Sequence, residues 1–245
     1  MRSFSLNALL WMAWAAWAAW AAPAVTSSFT VVASFYPVYI ATRNVARDVP
    51  GVTVLSLAPP SAGCLHDYQL TPADVLTLDR ADALVINGAG METAFEPLLK
   101  RRPRLPVVDA SDGVALIVSS PHHGCAHHAH TQACAPAPNP HVWLSVTRHI
   151  RQVDNIAHGL AAMDPARAAL YLTNAAWYTA ALRQLRCEMR RTLAGLSTRT
   201  LVTMHDAFPY FAQEFDLTIA GVVQREPGHA PGARHLAQLA TRIKE

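Results

Sequence analysis

Charge is scarce in this chain of 245 residues: Asp, Glu, Lys and Arg make up 15% of it, and the formal balance is only +3. Nothing in that balance suggests a nucleic-acid partner. Cysteine is sparse too, with four residues and no Cys-x-x-Cys pair, which argues against a tetrahedral thiolate zinc site. Neither His-Glu-x-x-His nor Gly-x-Ser-x-Gly occurs, so the compact signatures of zinc and serine hydrolases are missing. After the first 24 residues there is no long apolar run, and hence no candidate membrane span in the body of the chain.

The one apolar run, residues 8–22, follows Arg2 and leads into Trp20-Ala21-Ala22-Pro23-Ala24. A cation, an apolar stretch shorter than the roughly 20 residues of a span and small residues at a cut site form a secretory signal pattern. Residues 1–24 are therefore read as a signal peptide, with the mature chain starting near residues 23–27 outside the cytoplasm. No cysteine stands at the cut, which argues against a lipid-modified N-terminus. In an oxidising compartment Cys125 and Cys134, on one loop, have the spacing for a short disulfide, but the pairing of Cys64, Cys125, Cys134 and Cys187 is open.

From Phe29 onward strands and helices alternate. Apolar runs at 29–34, 52–57, 83–87 and 106–109 read as strands, and 38–48, a segment opening at Thr71, and 92–100 as helices. Thr71-Pro72-Ala73-Asp74 is a helix start, with Thr71 as N-cap and Pro72 in the first helical position. Alternation of this kind predicts a parallel sheet covered on both faces, with ligands beyond the carboxyl ends of its strands. The stretch 118–138 has no apolar period and contains His122-His123-Gly124-Cys125-Ala126-His127-His128-Ala129-His130; it reads as an exposed, mobile loop. A helix marked by Ile150, Val153, Ile156 and Leu160 follows. Then Leu170, Asn174, Trp177, Ala181, Leu185, Met189 and Leu193 keep one face of a helix of ~30 residues, about eight turns and ~45 Å long. Beyond Gly195 the alternation resumes with strands at 200–203 and 217–222 and helices at 208–214 and from Leu236. The expected division is an N-terminal α/β lobe at 29–163 carrying the His-rich loop 119–138, a linking helix at 164–196, and a partial C-terminal α/β lobe at 197–245. Two strands leave that last lobe little core and unpaired edges, so it reads as shortened or atypical.

Three histidines fall at turns next to these elements. His66 lies in the loop after the second strand, His141 follows Asn139-Pro140, and His205 stands between a strand and Asp206-Ala207-Phe208. Proline biases the residue before it away from helix and fixes the turn, and Val142-Trp143-Leu144 anchors it in apolar packing. Imidazole is the commonest protein ligand for a d-block metal near neutral pH. Three imidazoles on separate elements facing one cleft predict a captured metal ion. A three-histidine zinc hydrolase with an activated water is the alternative chemistry, and the His-rich loop acting alone as a metal buffer is a third reading.

The same residues resemble a family: the periplasmic zinc- and manganese-binding proteins of ABC transporters. The resemblance rests on Gly63-Cys64-Leu65-His66-Asp67-Tyr68-Gln69-Leu70-Thr71-Pro72-Ala73-Asp74, on Asn139-Pro140-His141-Val142-Trp143-Leu144, on Thr203-Met204-His205-Asp206-Ala207-Phe208-Pro209-Tyr210-Phe211, and on the segment from Glu226-Pro227-Gly228-His229 to Ile243-Lys244. It implies two Rossmann-like α/β lobes with parallel sheets bridged by one long helix, with His66, His141 and His205 as metal ligands between them. It also implies a monomer that delivers zinc to a membrane permease rather than an enzyme. Members resembling manganese binders tend to carry a carboxylate at the third position; the imidazole of His205 suits Zn2+ better than Mn2+. Gln69-Leu70 stands where the family usually has Glu-Pro. The family's fourth ligand, a carboxylate late in the second lobe, would lie beyond Glu245.

Overall fold

The computed structural model describes residues 27–62, 65, 68–119, 137–224 and 232–244. The signal-like segment, His66, the His-rich tract, and Cys64, Cys125 and Cys134 lie outside these residues. Among the described residues no helix is long and apolar enough to cross a membrane.

Strands β1 (Phe29–Ala33), β2 (Val52–Ser56), β3 (Ala83–Ile86) and β4 (Val107–Asp109) form a parallel sheet in the order β2-β1-β3-β4. Val31, Val32, Ala33, Leu84 and Val85 are fully buried, as apolar strands covered on both faces must be. The chain steps from β1 to β2 on one side and then crosses to β3 on the other. The carboxyl ends of β1 and β3 therefore flank a topological switch point, the usual place for a ligand crevice in such sheets.

The connecting helices are α1 (Tyr36–Val45), α2 (Pro72–Asp79) and α3 (Glu96–Lys100). Helix α2 starts as the sequence predicts. Thr71 Oγ1 accepts from the Asp74 amide, and the Asp74 carboxylate accepts from the Thr71 amide at 2.7 Å, a reciprocal capping box. The ends of the predicted loop pair as short antiparallel strands, β5 (Val118–Ser119) and β6 (Ala137–Pro138). The His-rich tract thus leaves and rejoins the body from one two-stranded base.

Helix α4 (Val146–Met163) buries Val153, Ile156, Ala157 and Leu160, the face its period marked. It lies so close to the sheet that a Cβ on Gly159 would stand 2.6 Å from a Val108 methyl. After a short 3-10 turn, α5 (Ala168–Ala194) runs for 27 residues, ~40 Å. The expected face is only partly the buried one: Met189 and Leu193 pack against the core and Asn174 meets α1, but the first half of the helix buries a different stripe. Tyr171, Ala175, Thr179 and Leu182 are buried, while Leu170 and Leu185 are each 45% exposed and Trp177 is 70% exposed. Polar anchors set the rotation. The Tyr171 hydroxyl donates to Asp164 Oδ2 at 2.7 Å, Asp164 pairs with buried Arg167 at 2.8 Å, and Asn174 Nδ2 donates to the carbonyls of Val45 and Arg47 at the end of α1. Arg167 also donates to the carbonyls of Pro50 and Ser27, ahead of β2 and β1.

Beyond α5, β7 (Thr200–Thr203) and β8 (Thr218–Val222) form a parallel pair flanked by α6 (Pro209–Glu214) and α7 (Ala233–Lys244). Phe215, Leu217 and Ala212 belong to the same contiguous apolar cluster as the four-stranded sheet. The mixed α/β architecture with parallel sheets and one long helix is the one predicted.

Candidate metal centre

His141 and His205 come together. Their Nε2 atoms are 3.2 Å apart, with ring centroids at 5.0 Å and planes at 71°. Two nitrogens each about 2.05 Å from a tetrahedral zinc ion stand about 3.3 Å apart, so the pair already has the separation of two ligands of one ion. Each ring is delivered by a turn at an element's end. His141 is buried and opens the 3-10 turn 142–144, whose Val142 is fully buried and whose Trp143 packs edge-on against Phe35 at 5.0 Å. His205 is half-buried just after β7, where the amides of Val223 and Gln224 donate to the carbonyls of Thr203 and Met204.

Asn139 organises the pair, a role the motif reading did not assign to it. Its Oδ1 accepts from the His141 amide at 3.0 Å and lies 2.9 Å from His141 Nδ1. An amide oxygen is an acceptor, so this contact places the proton on Nδ1 and leaves Nε2 with its lone pair directed at His205. Asn139 Nδ2 donates to the Asp206 carbonyl at 2.9 Å, and the Asn139 carbonyl accepts from the buried Tyr210 hydroxyl at 2.7 Å. One residue thus fixes the tautomer of the first imidazole and the backbone beside the second. The visible signal was Asn two positions before His141, the spacing of an Asx turn.

A buried polar network supports the same turn from the switch point. Asn87 Nδ2 donates to the Pro140 carbonyl at 2.9 Å, and Gln152 Nε2 donates to Asn87 Oδ1 at 3.0 Å. Glu92 accepts from Ser34 Oγ, at the end of β1, and from the amides of Asn87 and Gly88, after β3. Gly88 has φ +77°, and a Cβ there would lie 1.9 Å from Asp109 Oδ1, so glycine is required. Burial pushes the Glu92 carboxyl up to about 7 against the opposing pull of those hydrogen bonds.

Burial lowers the pKa of His205, opposed by the charge of Asp206, which favours the neutral, metal-binding form of the ring. Among the described residues no three His, Cys, Asp or Glu side chains gather at metal-binding spacing. The third predicted ligand, His66, lies outside those residues. Its described neighbours are held in place: Leu65 is buried, and the Tyr68 hydroxyl donates to Asp74 at 2.9 Å. Cys187, the only described cysteine, is free and exposed on α5.

Parallel α/β sheets, a long helix and imidazoles meeting at strand ends define the class of metal-binding solute-binding proteins. The chain belongs to the family described as ZnuA, zinc-uptake complex component A, periplasmic, which matches residues 31–245. It is 32% identical over 217 residues to the high-affinity zinc uptake system protein ZnuA of Bacillus subtilis, covering 88% of this chain and 67% of that protein. It is 29% identical over 226 residues to the zinc-binding protein AdcA of Streptococcus pyogenes serotype M6, covering 88% of this chain but only 43% of that one. A crystal structure of ZnuA superposes with a TM-score of 0.76 at 26% identity, covering 89% of this chain and 79% of that one. The structure of FpvC from Pseudomonas aeruginosa with Mn2+ gives 0.74 at 27% identity, covering 88% and 76%.

Proposed function

We propose that this chain captures a zinc ion outside the inner membrane and delivers it to an ABC-transporter permease. The Nε2 atoms of His141 and His205 serve as two ligands and His66 as the third. The residues 1–24 direct export to the periplasm, and residues 29–163 and 197–245 act as the two lobes on either side of the linking helix 164–196. The cargo is bound and released with no covalent bond made or broken, so no general base or nucleophile is required. The observation that carries this reading is the 3.2 Å Nε2–Nε2 separation, with the inner tautomer set by Asn139. An all-imidazole donor set among these three residues favours zinc over manganese, which prefers oxygen. The manganese reading is supported by likeness to the Mn2+ complex of FpvC, and competition between the two ions distinguishes them.

Calorimetric titration of the mature chain with zinc tests the site. A single tight site is expected, with affinity falling as pH drops because protons compete for the imidazoles. The lowered pKa of His205 places its competition below the ordinary histidine range of about 6.5. Changing His141 or His205 to alanine is expected to weaken binding by about a hundred-fold or more, judged by the ten- to hundred-fold cost of losing even an outer-sphere partner. Tight zinc binding in a chain with all three histidines changed to alanine would rule the site out.

A further inference from the structure

The His141 and His205 turns are joined at Asn139 by two hydrogen bonds, one to the Asp206 carbonyl and one from the Tyr210 hydroxyl. A further attachment, at the far end of α6, is Glu214, its last residue, nine positions after His205. Its side chain is only 3% exposed. It accepts from the hydroxyl of Ser145, from Thr147 Oγ1 at 2.7 Å and from the Thr147 amide at 3.2 Å. Ser145 is the N-cap of α4, its own Oγ accepting from the Arg148 amide at 3.2 Å, and it stands four positions after His141. The carboxylate thus sits over the N-terminus of an 18-residue helix, where the helix dipole favours a negative charge. Arg186 of α5 adds an ion pair, with Nε 2.7 Å from Glu214 Oε1. That N–H makes no aligned hydrogen bond, so the contact is one of charge. Burial alone would raise the Glu214 carboxyl; the hydrogen bonds from Ser145 and Thr147 and the Arg186 charge outweigh it and hold the pKa below the ordinary value.

We propose that Glu214 is a positioning residue for the metal centre: its carboxylate locks the strand–helix unit carrying His205 onto the first turn of α4, and so sets the separation of the two imidazoles. This rests on the reading that those imidazoles bind zinc. The contact connects three elements, α4, α5 and α6, and meets the chain four positions after His141 and nine after His205. Ordinary stability at a distance from the site would leave ligand geometry untouched, whereas a loosened Glu214 contact alters it.

The test uses the full mature chain loaded with Co2+, whose visible absorption reports ligand geometry, together with zinc affinity measured against a chelating dye. Glu214→Ala is expected to lower zinc affinity about ten-fold or more and to change the Co2+ band shape. Glu214→Gln, whose amide oxygen still accepts from Thr147 and whose Nε2 donates to Ser145 Oγ, is expected to restore most of both. Tyr171→Phe serves as the stability control, because it loses a hydrogen bond beside Arg167, at the amino-terminal side of the sheet; it is expected to leave the spectrum unchanged. If Glu214→Ala does not fold, Thr147→Val removes one hydroxyl contact and is expected to give a smaller shift in the same direction. Wild-type affinity and spectrum in folded Glu214→Ala, or in Thr147→Val when the alanine variant is unfolded, would overturn the proposal. Tight binding retained in both His141→Ala and His205→Ala would instead remove the site itself, a distinct failure that takes the proposal with it.

Discussion

At the scale of single residues, the side chains that arrange the site are buried polar groups rather than the ligands alone. Glu92 is the most consequential of these for pH. Its carboxyl, pushed up to about 7 by burial, stays protonated in the folded protein where an unfolded chain with a carboxyl pKa of about 4.3 has released the proton. The folded state therefore binds more protons between those values, and by linkage this residue's contribution to stability falls as pH rises from about 4.3 to about 7. Glu92→Gln removes the titration. Urea unfolding from pH 5 to 7.5 is expected to show wild type losing more stability across the window than the variant. Parallel pH profiles for the two proteins would contradict the assignment. The meeting of His141 with His205 and the Asn-Pro-His turn were legible from residue type and spacing. The roles of Asn139, Asn87 and Glu92 were not, because each depends on which carbonyl or amide the fold brings within hydrogen-bond reach from more than one element.

At the scale of elements, most strands and helices fall within a few residues of their predicted positions, because the apolar period and the Thr71-Pro72 start signal were unambiguous. Helix α5 is the instructive exception. A chain of Leu170, Trp177 and Leu185 is the more hydrophobic stripe, yet the buried stripe runs through Tyr171, Ala175, Thr179 and Leu182. Hydrophobic periodicity weighs apolar surface; it does not weigh the Tyr171–Asp164 hydrogen bond or the two carbonyls that Asn174 satisfies at the end of α1. Stability measurements separate the two faces. Tyr171→Ala is expected to cost about 3 kcal/mol or more, as for other large-to-small changes in a core. Trp177→Ala, at a position 70% exposed, is expected to cost about 0.5 kcal/mol or less. The reverse order in urea unfolding would restore the face expected from sequence.

At the scale of the whole molecule, the position of the site follows from topology. The reversal of strand order between β1 and β3 opens a crevice at their carboxyl ends. The Glu92–Asn87 network spans that crevice and holds the Pro140 carbonyl, and β7 presents His205 from the other sheet. An ion bound between segments so far apart in sequence stabilises the folded state by mass action, about 2.7 kcal/mol at a free concentration one hundred times its Kd. The His-rich tract enters and leaves at the β5–β6 base, where Ser119 pairs with Ala137. The base therefore survives if residues 121–136 are replaced by Asn-Gly, which with Ser120 leaves a loop of three residues, a common hairpin length. That replacement is expected to leave one tight zinc site and an undiminished zinc-dependent rise in melting temperature, while any weaker binding events disappear from the titration. His141 and the backbone beside His205 are held by Asn139 and Tyr210, neither of which belongs to the tract. Loss of all zinc binding on this replacement would move the capture site from the crevice to the tract, and the close approach of the two imidazoles would then be a hydrogen bond between neighbours rather than a vacancy shaped for a metal.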